Sequence, residues 1–143
     1  MKRILIMMIM VIGLSSFTTQ VRIDKELEKY YTNSIEDLTN KGFDASGKIG
    51  VQIKFIAKPS ERQHKYGIAF AIHSEEYSLI RVYEKNWNDI DYWQKRWVMT
   101  HELLHTFGYE HSNNTNSLMF WDIPENVTPR MYYTALDIAL SEK

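Results

Sequence analysis

A chain of 143 residues with 44% hydrophobic and 13% aromatic content can build one packed core and is short for two domains. A formal charge of -1 gives no basis for a nucleic-acid or anionic-membrane partner. The absence of cysteine excludes disulfides, thiolate zinc sites and a cysteine nucleophile.

The opening stretch, MKRILIMMIMVIGLSSFTTQ, has the layout of an export signal. Lys2 and Arg3 form a positive start, Ile4 to Leu14 an apolar run, and Ser15, Ser16 and Thr18 a small polar end. The apolar run is shorter than the ~20 residues of a spanning helix, so no stable membrane span is expected. Residues 1–20 therefore read as a secretory signal, with an uncleaved N-terminal anchor as the second reading. The expected location is secreted, periplasmic or extracellular, and 21–143 form one catalytic-domain-sized unit, expected as a monomer.

Ile23, Leu27, Tyr30, Tyr31, Ile35 and Leu38 recur at helical spacing and predict a helix from Asp24 to Lys41, stopped by Gly42. KIGVQIKFIA and YGIAFAIH alternate in hydropathy and predict two strands, and YSLIRVYEK predicts a third. The short connections imply an antiparallel run, or a mixed sheet with an antiparallel edge. A helix follows in NWNDIDYWQKRWVMTHELLHTF, with Asn88, Asp89 or Asp91 as cap. It is apolar on two sides, which predicts burial beneath the sheet, and Gly108 ends it. Thr128 and Pro129 open a last helix. The expected fold class is α+β: a small mixed or antiparallel sheet over a histidine-bearing helix and a C-terminal helix.

Three of the five histidines lie in HELLHTFGYEH. His101 and His105 are four apart, so a helix presents both on one face. Gly108 lets the chain turn back, and His111 can meet them from the loop. Three imidazoles with a fourth position open is the donor set of a catalytic zinc ion. Glu102 lies ~100° around the helix from His101 and can act as general base towards a water at that position. The chemistry implied is hydrolysis of an amide without a covalent intermediate.

The run HELLHTFGYEH, followed by SLMF, resembles the zinc consensus and methionine turn of the metzincin metallopeptidases, most similarly the matrixin branch. Met119 falls eight residues after His111, and Ser112 directly follows that histidine. The resemblance implies His101, His105 and His111 as ligands of one catalytic Zn2+, Glu102 as the base, Gly108 as the turn glycine and Met119 beneath the metal. It implies a secreted zinc endopeptidase with a compact metzincin-like fold, acting on a peptide or protein substrate. The strand Tyr77–Tyr83 would form the rim of the cleft, and an extended substrate would add to its edge. It also suggests Asp137 as an acceptor for the methionine turn, against a plainer reading as surface charge, and Asp24 as a cover for the metal. Phe120 and Trp121 depart from the tyrosine and proline usual after the matrixin methionine. The long loop that holds further metals in vertebrate matrixins is missing; only His64 and His73 lie there, and no second structural metal is expected. Trp121, Tyr132 and Tyr133 are candidates for the substrate pocket, against a plainer reading as core aromatics. The alternative function is a catalytically idle zinc-binding module that recognises a peptide or partner, against which the intact Glu102 argues.

Overall fold

The computed structural model describes residues 20–57 and 67–143. The segment read as a leader, apart from Gln20, lies outside the described residues, as does His64. Gln20, the last residue of that segment, is the first of β1 (Gln20–Ile23). There follow α1 (Lys25–Asn40), β2 (Gly50–Ile56), β3 (Ala69–Ile72), β4 (Tyr77–Tyr83), α2 (Glu84–Asn88), α3 (Tyr92–Thr106) and α4 (Pro129–Ser141). The fold is α+β, as expected. Among the described residues no helix is long and apolar enough to cross a membrane.

The four strands form one mixed sheet in the order β1-β2-β4-β3. β1, β2 and β4 run parallel, and β3 pairs antiparallel with β4. The parallel pair β1–β2 needs a crossover, and α1 supplies it. Alternation along β2 and β4 sends Val51, Ile53, Ile80 and Val82 to one face. There they meet Leu27, Tyr30 and Leu38 of α1 and Met99, Leu103 and Leu104 of α3 in the core. Burying each such side chain contributes roughly 1.5–3 kcal/mol, which fixes α3 against the sheet.

The helix ends follow local chemistry. Asp91, of the three candidates, caps α3: its carboxylate accepts from the Gln94 amide while the Gln94 side chain accepts from the Asp91 amide. Asn88 and Asp89 instead finish α2, a short helix that the strand-like pattern of YSLIRVYEK hides. The Thr128 hydroxyl accepts from the Met131 amide, with Pro129 at the first position of α4. Asp24 precedes α1, and its carboxylate accepts from the Phe55 amide at 2.7 Å. That bond ties the start of α1 to β2 and does not leave Asp24 to cover the histidines.

A polar network lies under α3. Arg96 pairs with Asp37 of α1, and both are buried. Tyr132 of α4 donates to Asp37 at 2.8 Å, and the Thr100 hydroxyl bonds Tyr132 at 2.8 Å and Ser34 at 2.7 Å. Burial pushes the Tyr132 hydroxyl well above its ordinary range, so it remains a donor at neutral pH. Tyr132 is thus a core residue that joins three helices, which corrects its candidacy for the substrate pocket.

Candidate metal centre

His101 and His105 point from one face of α3, one turn apart, as a four-residue spacing requires. The helix then stops. The Gly108 amide reaches back to the His105 carbonyl at 3.0 Å and the Tyr109 amide to the Leu104 carbonyl at 3.2 Å. Gly108 sits at φ 84°, in the left-handed region where a Cβ is costly. Three residues on, the chain delivers His111. The Ser112 amide donates to the Met119 carbonyl at 2.9 Å, and the Leu118 amide donates to Ala135 of α4 at 3.0 Å. The loop carrying His111 is therefore closed on itself and fastened to α4.

The three histidines present ring nitrogens that all lie within 4.8 Å of one another. Ring centroids are 4.6 Å apart for His101 and His105, 4.7 Å for His105 and His111, and 5.3 Å for His101 and His111. His101 Nδ1 bonds the Leu118 carbonyl at 2.8 Å, and His105 Nδ1 bonds the Tyr109 carbonyl at 2.7 Å. A carbonyl only accepts, so each Nδ1 carries the hydrogen. In the neutral rings each Nε2 then offers a lone pair, and these two atoms are 3.0 Å apart. Burial lowers the basicity of both rings, taking His101 down to about 4, with smaller contributions from the neighbouring histidines. Two lone pairs held this close repel unless a cation lies between them. Carbonyl bonds to the far nitrogen are also how metal-binding histidines are oriented. Nitrogens bound to tetrahedral zinc at ~2.0–2.1 Å are roughly 3.3 Å apart, close to the spacing of this pair. The donor set therefore fits one metal ion.

Glu102 is buried beside this cluster, at 8% exposure. Burial pushes its carboxyl up to about 7, opposed by the backbone N–H of Ala71. A cleft of about 720 Å³ is lined by all three histidines, Glu102, β3 residues and Trp121. A smaller cavity of about 110 Å³ opens beside it, between Trp97, Val98, Phe120 and Ile123.

The rim of the cleft is β3, not the strand Tyr77–Tyr83 that the resemblance implies. Tyr77–Tyr83 is an inner strand, paired on both sides. The Tyr83 amide donates to the Ile68 carbonyl, and antiparallel bonding alternates from there. That alternation turns the amide and carbonyl groups of Ala69 and Ala71 away from β4, towards an edge that no other described strand covers, where the Ala71 N–H bonds Glu102.

Of the three candidate pocket aromatics, Trp121 lines the cleft and is 69% exposed. Tyr132 is core, and Tyr133 packs on Trp93 and bonds Asp37, away from the lining of the cleft. Met119 is buried and shares with His111 the lining of a separate cavity of about 420 Å³. Asp137 pairs with Lys41 at 2.6 Å on the surface and makes no bond to the turn, in line with the plainer reading. The acid that does hold this region is Glu142, which the sequence reading passed over. It accepts from Ser112 at 2.8 Å and from Ser117 at 2.7 Å. No local pattern marks it, because both partners lie at least 25 residues away.

No protein-family model matches the chain, and no curated protein matches it.

Proposed function

We propose that the chain is a secreted, zinc-dependent endopeptidase of metzincin type. The observation that carries this reading is the placement of a buried carboxylate, Glu102, in the same cleft as three convergent imidazoles. His101, His105 and His111 would hold the ion. Bound there, zinc supplies Lewis acidity, which acidifies water and polarises a carbonyl.

The remaining steps belong to the chain. Glu102 takes the proton of the attacking water at its carboxylate and returns it to the departing amine nitrogen. Burial raises the proton affinity of this carboxyl in the metal-free chain, and a bound dication would oppose that shift and favour the carboxylate, the form a general base needs. The amide and carbonyl of Ala69 and the carbonyl of Ala71, which face the edge of the sheet, bond an extended peptide as an added strand, which sets the scissile amide across the histidines. Trp121, exposed at the mouth of the cleft, packs on one substrate side chain.

The purified protein is expected to carry about one zinc per chain and to cleave a denatured protein or a peptide library. Glu102→Ala should keep the zinc and lose roughly 10²–10⁴-fold in rate. Equal residual activity in the two proteins, both loaded with zinc, would leave a zinc-binding recognition module in place of the enzyme.

A further inference from the structure

His101 and His105 each have an orienting hydrogen bond of their own, from Nδ1 to a backbone carbonyl. His111 has none among the described residues, and it is exposed. Its ring lies against the other two imidazoles. A ligand without its own hydrogen bond is placed by its backbone, and a backbone in a surface loop is free to wander unless it is fastened.

Beside the backbone bonds of Ser112 and Leu118, the side-chain fastening of this loop converges on one carboxylate. The Asn114 amide donates to the Ser112 hydroxyl at 3.0 Å, and that hydroxyl donates to Glu142 Oε1 at 2.8 Å. The Met119 amide donates to the Ser117 hydroxyl at 3.2 Å, and that hydroxyl donates to Glu142 Oε2 at 2.7 Å. One carboxylate thus closes both ends of the loop from Ser112 to Met119, each oxygen terminating a two-bond relay. Bonds to a charged acceptor are about twice as strong as neutral ones. On the other flank of His111, Lys143 donates to the Phe107 carbonyl at 2.9 Å and lies over the Tyr109 ring. The residue following Glu142 therefore grips the turn through Gly108.

We propose that Glu142 is a positioning residue for the metal site, holding His111 in register with His101 and His105 through Ser112 and Ser117. The proposal rests on the three-histidine metal site described above. Glu142 supplies for the third ligand what backbone carbonyls supply for the first two, and it does so one residue removed.

The test is zinc affinity of the full chain, read by competition with a chromophoric chelator, with no substrate present. Glu142→Ala is expected to weaken zinc binding roughly 10–100-fold. Glu142→Gln, which keeps one acceptor oxygen, is expected to fall between the two. In a His111→Ala background the Glu142→Ala loss should disappear, since the ligand through which it acts is gone. Ser112→Ala, which removes one arm and leaves the C-terminal residues alone, should reproduce part of the loss even if Glu142→Ala folds poorly. Affinity within about twofold of wild type in Glu142→Ala and Ser112→Ala, or an equal loss with and without His111, overturns the proposal. Failure of the underlying metal site has a different signature: wild type itself then takes up no zinc.

Discussion

At the scale of residues, His101 and Glu102 are neighbours with opposite pH demands. Burial lowers His101 to about 4 from an ordinary 6.5, so the folded chain binds fewer protons there than the unfolded one. That contribution to stability is complete above 6.5 and is lost as pH falls towards 4. Burial raises Glu102 to about 7 from 4.5, so the folded chain holds a proton that the unfolded one releases. Its contribution is complete below 4.5 and is lost as pH rises through 7. In metal-free protein, Glu102→Gln removes the second cost. The variant should exceed wild type by about 1–3 kcal/mol at pH 8 and match it near pH 4, measured as urea midpoints in chelator. A bound dication favours the carboxylate, so the gap at pH 8 should close in zinc-loaded protein. A gap that persists with zinc would place the carboxyl outside the reach of the ion. Peptide hydrolysis of the kind proposed should fall on the acid side, as Glu102 gains a proton and can no longer act as the base.

At the scale of elements, the turn after α3 decides whether two histidines become three. Gly108→Ala meets no neighbouring atom within 4 Å, so its cost comes from the left-handed backbone alone. That cost is about 1–2 kcal/mol, and thermal unfolding of metal-free protein should show it as a lower midpoint. Zinc affinity should fall as well, because relaxing the backbone moves His111 and leaves His101 and His105 on the helix. An unchanged affinity would mean that the loop is held without the glycine. Most helices and strands were legible in sequence, since α1, α3 and α4 carry their own period, α3 and α4 their own caps, and β2 to β4 alternate, whereas the short β1 and α2 were not. The order of the strands was not. Three strands in chain order look like neighbours in space, yet β3 leaves the middle and takes the edge, because β2 and β4 pair in parallel. The rim of the cleft moved with it from Tyr77–Tyr83 to Ala69–Ile72. The histidine cluster was legible because helical spacing and one glycine fix it locally. Tyr132, Asp37 and Glu142 were not, since their roles depend on partners that only folding brings near.

At the scale of the whole molecule, α3 lies between two different supports. Above it are apolar side chains of the sheet; below it is the buried network joining Asp37, Arg96, Thr100 and Tyr132. The network is a liability if broken, because Arg96 is buried and cannot shed its charge. Asp37→Ala should cost about 3–5 kcal/mol, most of it from the stranded guanidinium, and should appear as a large drop in urea midpoint. Asp37→Ala with Arg96→Met should recover part of the loss, whereas a purely additive pair would only worsen it. Zinc, bound as proposed, would add a third support, available only when the histidines are neutral. A ligand that binds the folded chain stabilises it by about 2.7 kcal/mol at a concentration 100 times its dissociation constant. Protons compete for the same nitrogens, so the rise in melting temperature with zinc should be large at pH 8 and be lost in acid, as pH falls towards the value of about 4 at which His101 takes up its proton. His101→Ala should abolish the rise, since it leaves His105 as the one ligand on the helix. The same rise at every pH, or a rise that survives His101→Ala, would trace the stabilisation to metal bound elsewhere on the chain.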